Sequence, residues 1–492
     1  MRSNDQSHQA TDGSWNQLLE SVRNGRPVRL HSKAVQPGDV FVALPGKAVD
    51  GSRFIPDALS RGAAWIVSAS DRNVPEDSLD RLIVRDDPQA ALGQLAKASF
   101  GTEARTFLLV GITGTNGKTT VAAMLEELFQ AAGRSVGIVG TVNYRWPGHE
   151  EAARLTTPDC LTTHSLLARM AQDGVDVVCM EVSSHALDQQ RVAGLDFDLA
   201  VFTNLSQDHL DYHEDMEAYY LAKRRLFDPV SGPAPRPVIN LDDEYGARLA
   251  AELENPLGYS LGKARLANGS ILQAEILSAS RRGLELAMQY QDQSWQLSSP
   301  IIGRHNAANL AAAQAAGLAA GLPSTAMSAL NGFPGVAGRL EKIDNARDLH
   351  IFVDYAHSPD ALENVLASVR GLDFRRLVVV FGCGGDRDTT KRPLMGQAVA
   401  AFADVAVLTS DNPRHEDPAA IMNDVLPGIQ GQIRLIQEAD RRKAIGLALD
   451  ELTPDDALII AGKGHEDYQE IGGERFPYSD FAAVREHLKS CR

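Results

Sequence analysis

"TFLLVGITGTNGKTTVAAMLEELFQAAG" spans residues 106–133. Residues 106–113 are almost continuously apolar, as in a strand covered on both faces. Beyond the glycine-rich turn, Val121, Met124, Leu125 and Leu128 recur at helical spacing on one face. Strand, glycines, Lys118-Thr119 and helix arrive in the order of a phosphate-binding loop, where backbone N–H groups and a helix N-terminus converge on phosphate oxygens. In that reading Lys118 reaches the terminal phosphates and the Thr119 hydroxyl ligates Mg²⁺. Ile112 stands where strict Walker spacing has glycine, so only the Gly-Lys-Thr end matches fully. A glycine-rich turn with a solvated lysine is the competing reading, and the order of the four parts favours the nucleotide. The loop predicts ATP or GTP and is silent on the reaction.

Outward from this unit the chain repeats the strand–helix rhythm. Upstream, apolar runs at 40–44, 64–67 and 82–84 and a helical stretch at 88–100 predict a small α/β domain. Downstream, strands at 135–142, 175–180, 199–203 and 237–240 alternate with helices, which predicts a largely parallel, covered sheet. A further set at 351–354, 377–381, 405–409, 433–437 and 457–461 predicts a third, Rossmann-like α/β domain. Glycine-rich "NGFPGVAGRLE" (331–341) reads as a linker, giving domains 1–103, 104–337 and 338–492. The fold expected is therefore α/β in three domains, the central one built on the phosphate loop. In the third, Asp354 and residues 382–388, 410–414 and 462–466 follow strand ends, which line the ligand crevice of an open α/β sheet. "TSDNPRHEDP" (409–418) is one of these stretches; its Asp, Asn and Pro suit a turn, and Arg414 exceeds what a turn needs.

Composition bounds the function. A length of 492 residues suits about three domains. A formal net charge of −16 argues against general nucleic-acid or anionic-membrane binding. The polar start "MRSNDQSHQATDGSW" lacks the apolar core of a signal peptide, and no apolar run approaches the ~20 residues of a membrane span. Cys160, Cys179, Cys383 and Cys491 are scattered without metal-binding or disulfide spacing. A cytoplasmic protein with no membrane insertion is expected.

Further stretches turn these readings into a resemblance. "MEVSSHALDQQRV" (180–192), "VFTNLSQDHLDYH" (201–213), "AKRRLF" (222–227), "GRHNAANLAAA" (303–313), "GRLE" (338–341), "VDYAHSPDAL" (353–362), "FGCGGDRD" (381–388) and "AGKGHEDY" (461–468) follow "TGTNGKTT" in order. With "QPGDVFVALPGKAVDG" (36–51) they resemble the Mur ligases, cell-wall precursor enzymes, over nearly the whole chain. The resemblance implies an ATP-dependent amide ligase, acting as a monomer, that adds meso-2,6-diaminopimelate to UDP-N-acetylmuramoyl-L-alanyl-D-glutamate through an acyl phosphate.

The resemblance also assigns residues. ATP contacts are implied at Gly114, Thr115, Asn116, Gly117, Lys118, Thr119, Thr120, Asn306, Arg339 and Asp354. Mg²⁺ is implied at Thr119, Glu181, His209 and Lys223, the last carrying a CO₂-derived carbamate; with Lys118 these form the implied catalytic set. From its residue type alone His209 reads as a turn histidine, Lys223 as part of a solvated basic face with Arg224 and Arg225, and Arg339 as a surface arginine. The nucleotide-sugar dipeptide is implied at Leu30, Ser32, Lys47, Ala48, Val49, Thr156, Thr157, Ser183, Gln189 and Arg191. His31-Ser32-Lys33 replaces the family's usual Asp-Ser-Arg, a departure on either side of the implied uridine-binding serine. Diaminopimelate is implied at Arg387, Asp411, Asn412, Pro413, Arg414, Gly462 and Glu466. Arg414 suits the second carboxylate of diaminopimelate, because a guanidinium meets a carboxylate through paired, charge-assisted bonds.

Two other functions compete. Folylpolyglutamate synthetases begin near their phosphate loop and usually continue it Gly-Lys-Gly, whereas here about a hundred residues precede Gly-Lys-Thr. A P-loop switch or transport ATPase explains 111–120 and leaves "EVSSH", "DHLDYH" and "DNPR" without roles.

Overall fold

The computed structural model describes residues 4–46, 49–210, 212–431 and 433–490. Lys47 and Ala48, and with them Asp211 and Cys491, lie outside the described residues. Two compact units divide the chain: Met1–Gly111, Arg134–Ala200 and Leu221–Pro235 form one, and Ile112–Gly133, Val201–Tyr220 and Arg236–Arg492 the other.

In the first unit four parallel strands, Val28–Arg29, Val40–Val42, Trp65–Ser68 and Leu82–Val84, lie in sequence order. Helix Pro88–Phe100 follows them. Asp87 caps it by accepting from the Gln89 and Ala90 amides, Pro88 suits the first turn, and Gly101 ends it at φ 64°. Leu92, Leu95 and Ala96 bury its inner face against Val40, Val42 and Val67. Within the same unit, Val136–Val139 pairs in parallel with Val177–Glu181 and antiparallel with Asn143–Trp146, which forms a hairpin with His149–Ala152.

In the second unit Arg236–Asn240, Leu257–Ser260 and Ser270–Ser280 run parallel, and Gly283–Tyr290 and Gln293–Ser299 extend them as an antiparallel meander. The same unit holds a six-stranded sheet in the order Glu341–Lys342, His350–Asp354, Ala457–Ala461, Leu377–Phe381, Val405–Leu408, Arg434–Gln437. All but the first of these strands are parallel. Strand Ala457–Ala461, the last of the parallel strands in the chain, is inserted beside the first, so the crevice at its C-terminal end is a switch point in strand order. Beneath that end, Arg441 and Asp480 form a fully buried bidentate pair at 2.8 and 2.7 Å, and Arg441 also donates to the Ala461 carbonyl at 2.9 Å.

The expected α/β class holds, and strands 377–381 and 457–461 and helix 88–100 begin and end where expected. The meander, the 143–152 hairpin and a hairpin of Tyr468–Ile471 with Glu474–Pro477 add to the expected strands. Among the described residues, no helix is long and apolar enough to cross a membrane.

Candidate active site

The phosphate loop is held by its own unit. Strand Leu108–Thr113 leads into residues 114–117, and helix Lys118–Ala131 starts from Gly117 in the left-handed region at φ 88°. A Cβ on Gly114 would lie 1.8 Å from Thr203 Oγ1, and one on Gly117 2.4 Å from Asn309 Oδ1. Both glycines are therefore required by close approach as well as by torsion. Thr203 Oγ1 donates to the Asn116 carbonyl (2.6 Å), and the Asn116 amide donates to Asn204 Oδ1 (2.9 Å). Lys118 Nζ arches back and donates to the carbonyls of Gly114 and Thr115, both at 2.9 Å, which holds its charge over the loop. Thr119 and Thr120 are buried. Asn306 Nδ2 donates to the Ile302 carbonyl just before its helix, and its Oδ1 accepts from Asn309, the residue against Gly117.

Arg339 reaches this loop from a segment that Asp354 holds through the Leu340 amide. Arg339 Nη2 donates to Thr119 Oγ1 at 3.3 Å, and its guanidinium stacks 4.7 Å from the Tyr355 ring centroid. The surface reading of Arg339 is thereby corrected. Asp354 accepts from the Leu340 and Ala356 amides, and its carbonyl accepts from the Gly462 amide. Burial pushes its carboxyl above the usual range, against the opposing pull of Arg339. Asp360, which no sequence argument singled out, accepts from Asn116 Nδ2 and Ser206 Oγ at 3.1 and 2.5 Å.

His209 stands in the left-handed region at φ 56° on the 203–213 loop, beside Asp208 at 3.7 Å and edge-on to Tyr219. Burial pushes Asp208 up, but His209, His357 and Lys391 outweigh it and hold the carboxyl below its ordinary range. In the first unit Glu181 is buried at the end of its strand and accepts from the Thr141 amide and hydroxyl, each at 2.9 Å. Lys223 is 1% exposed, so the solvated basic face expected for it from residue type does not exist; Arg225 alone of that trio is exposed. Among the described residues no three His, Cys, Asp or Glu side chains gather as a metal cage. Each unit nevertheless offers oxygen of the kind that Mg²⁺ takes, the first the buried Glu181 carboxylate and the second the Thr119 hydroxyl.

The residues expected to hold the peptide come together around Glu181. Thr157 Oγ1 donates to the Glu181 carbonyl and accepts from the Ser183 amide, and Ser183 caps helix Ser184–Asp188. Arg191 donates through Nε and Nη2 to Gln189 Oε1 and through Nη1 to the Thr157 carbonyl. Thr156 Oγ1 lies 3.1 Å from Thr141 Oγ1. Ser32 is buried and its hydroxyl bonds Asp57, holding that carboxyl below the usual range, while Leu30 is half-buried and Val49 exposed.

The third cluster surrounds the end of strand Ala457–Ala461. Arg414, at φ 52°, donates through Nη1 to the Gly385 carbonyl (2.7 Å), and its Nε lies 3.5 Å from Glu470. A Cβ on Gly384 would touch both Arg414 Nη1 (3.1 Å) and Arg387 Cγ (3.8 Å), so the two arginines flank one glycine. Pro413 lies against Gly385 on the same turn. Asn412 Nδ2 donates to Glu466 Oε2 at 3.0 Å. Asp411 Oδ2 is buried with no hydrogen-bond partner, facing Gly462, which at φ 115° leaves it 2.5 Å from a would-be Cβ. Lys463, Gln469 and Glu470 complete the cluster and were missed from sequence. Gly472-Gly473, both at positive φ, is the two-residue turn signal that locates the last two.

A phosphate loop faced by an arginine, in one unit with an ionic cleft at Rossmann-like strand ends, defines a nucleotide-dependent α/β enzyme. Residues 27–100 match the model of the Mur ligase family catalytic domain, residues 112–317 the Mur ligase middle domain and residues 338–464 the Mur ligase glutamate ligase domain. The chain belongs to the Mur ligase family. It is 50% identical over 459 residues to the UDP-N-acetylmuramoyl-L-alanyl-D-glutamate–2,6-diaminopimelate ligase of Lawsonia intracellularis, covering 93% of this chain and 95% of that protein. The protein of the same name from Thermosynechococcus vestitus is 44% identical over 469 residues, covering 94% and 93%. A solved structure of a ligase of that name superposes with a TM-score of 0.67 at 34% identity, covering 94% of this chain and 95% of the other.

Proposed function

We propose that this protein is the ATP-dependent ligase that joins meso-2,6-diaminopimelate to UDP-N-acetylmuramoyl-L-alanyl-D-glutamate in peptidoglycan precursor synthesis. The observation that carries the choice of amine is Arg414. It is held by the Gly385 carbonyl and Glu470 at the strand-end cleft, beside Asn412, Glu466 and the unpartnered Asp411 Oδ2. Diaminopimelate ends in an amino-acid centre bearing both carboxylate and ammonium. Arg414, with Arg387 beside it, takes the carboxylate, and Asp411, Asn412 and Glu466 take the ammonium. Lysine, which ends in an ammonium alone, leaves the guanidinium without its partner.

The D-glutamyl carboxylate attacks the γ-phosphorus of ATP, ADP leaves, and the diaminopimelate amine displaces phosphate from the acyl phosphate, losing a proton as the amide forms. The loop amides, Lys118 and Arg339 hold the phosphates, with Asn306 and Asp354 supporting them. Thr157, Ser183, Gln189 and Arg191, with Thr156, hold the anionic peptide, and Leu30, Ser32 and Val49 the uridine end. Mg²⁺, when bound, offsets repulsion between the two anions; Thr119, Glu181, His209 and a carbamylated Lys223 would hold it. Burial supports the carbamate, since a lysine away from water favours the neutral amine that captures CO₂. Domains at 1–103, 104–337 and 338–492 carry the uridine, nucleotide and amine functions, a division supported by the three matched family spans. The enzyme works as a cytoplasmic monomer, in the compartment where ATP and nucleotide sugars occur and where buried thiols such as Cys160 and Cys383 stay reduced.

Mass spectrometry of the product formed from ATP, Mg²⁺, the nucleotide-sugar dipeptide and competing diaminopimelate and L-lysine tests this reading. Diaminopimelate should be incorporated, and Arg414→Ala should raise its KM steeply, by the equivalent of about 2–5 kcal/mol, while the KM for ATP stays nearly unchanged. Preferential lysine incorporation by the wild-type enzyme would overturn it.

A further inference from the structure

Lys463 follows Gly462 at the end of the central strand and turns inward. Its side chain is fully buried, although nothing in the reaction above uses it. Nζ donates to Asn412 Oδ1 and to Glu466 Oε2, both at 3.0 Å, and lies 5.5 Å from the Tyr468 ring centroid. Asn412 Nδ2 donates to the same Glu466 oxygen at 3.0 Å, and Asn412 Oδ1 also accepts from the Glu470 amide at 2.9 Å. An ammonium has donors only, so it dictates which way the Asn412 amide faces: oxygen toward Lys463, nitrogen toward Glu466.

We infer that Lys463 is a positioning residue for the amine substrate, locking Asn412 and Glu466 into one arrangement before the amine arrives. The inference rests on the assignment of those two residues to the amine site. Burying an ammonium is unfavourable unless its partners are supplied, and here both partners are the side chains assigned to the substrate's ammonium. Lys463 engages Glu466 through Oε2 alone, which leaves Oε1 to receive the incoming ammonium. It also offsets the charge of Glu466, so the cleft accepts a zwitterionic end without gathering uncompensated negative charge from Asp411, Glu466 and Glu470. The lysine needs no contact with the substrate to set its affinity.

The test measures steady-state constants for Lys463→Met, Glu466→Gln and the double variant, using whichever amine the wild-type enzyme prefers. With that choice, a wrong identity for the amine leaves this inference separately testable. The amine KM should rise about tenfold or more in each single variant, with the KM values for ATP and nucleotide-sugar dipeptide within about twofold of wild type. The double variant should be no worse than the poorer single one, because the two groups act as a unit. An unchanged amine KM in Lys463→Met, an equal rise in all three KM values, or multiplying effects in the double variant would overturn the inference. Should Lys463→Met not fold, Lys463→Gln, which keeps an N–H toward Asn412, should show an intermediate amine KM with ATP unaffected; a normal amine KM there counts equally against it.

Discussion

Lys118 Nζ donates to the carbonyls of Gly114 and Thr115, which sets its charge at the mouth of the loop. Lys118→Ala should fold with a near-wild-type melting temperature and lose ligation by on the order of a hundredfold or more, read as phosphate release coupled to product. Substantial ligation by the folded variant would remove the lysine from the phosphates. Residues of this kind were legible in sequence because a phosphate loop is local: glycines, lysine and threonine sit within one turn of chain. Lys223 and Arg339 were not legible as buried or stacked, since burial is decided by elements far away in sequence. Lys463 stood in plain view in "AGKGHED", but a lysine between two glycines reads as solvated until the strand end is known to point it inward. Backbone torsion marks several of the same places: His209, Leu340, Asp386 and Arg414 are non-glycine residues with positive φ, all on loops assigned to the site.

Helix Met216–Arg224 carries its lysine on its last turn, facing inward, while Arg224 next to it faces Asp228 at 3.0 Å. One helical step of about 100° separates the two directions, which is why three consecutive basic residues do not share one environment. If Lys223 carries a carbamate, Lys223→Ala should be nearly inactive and regain part of its activity in added formate or acetate, which restores an oxygen ligand. Rescue by these anions no greater than by chloride at equal ionic strength would argue for a plain structural lysine. Among whole elements, the parallel strands were readable as apolar runs because both faces are covered. The 270–299 meander was not: Ser270–Ser280 and Gln293–Ser299 alternate buried and exposed positions among Ser, Gln and Glu, so their strand signal is diluted by polar residues. The Tyr468–Ile471 hairpin escaped for the same reason, and with it Gln469 and Glu470.

Across the molecule, two histidines, His164 buried and His305 half-buried, couple folding to pH. His164 donates from Nε2 to the Ala193 carbonyl at 2.9 Å and, as a neutral ring, accepts at Nδ1 from the Thr102 hydroxyl at 2.6 Å, and burial pushes its pKa down to about 4. His305 is likewise pushed down to about 4 by burial. Both lie below the ordinary value of 6.5, so the unfolded chain binds protons that the folded one refuses between those limits. Stability should be full above pH 6.5 and fall as the pH drops toward 4, each histidine contributing up to about 1.4 kcal/mol per pH unit. Urea midpoints measured across that range should fall steeply in the wild type and more gently in His164→Gln. A slope identical in the two proteins would mean that His164 is protonated in the fold. Domain order and fold class were legible at this scale through the ordering of short motifs.

Gly338 lies so close to the 464–465 backbone that a Cβ on it would stand 2.2 Å from the His465 nitrogen, and Asp354 ties Leu340 on one side to Gly462 on the other. The arginine that reaches Thr119 and the glycine that opens onto Asp411 thus hang from one aspartate. A shift of Gly462 by an occupant of the amine cleft would load the same aspartate that holds the Arg339 segment, and any coupling carried that way is reciprocal, so a bound nucleotide would bias the cleft to the same degree. An inhibitor of the cleft should therefore bind with a different Kd once a non-hydrolysable ATP analogue fills the loop, as titration with and without that analogue would read; equal Kd values would mean that the shared aspartate carries no coupling.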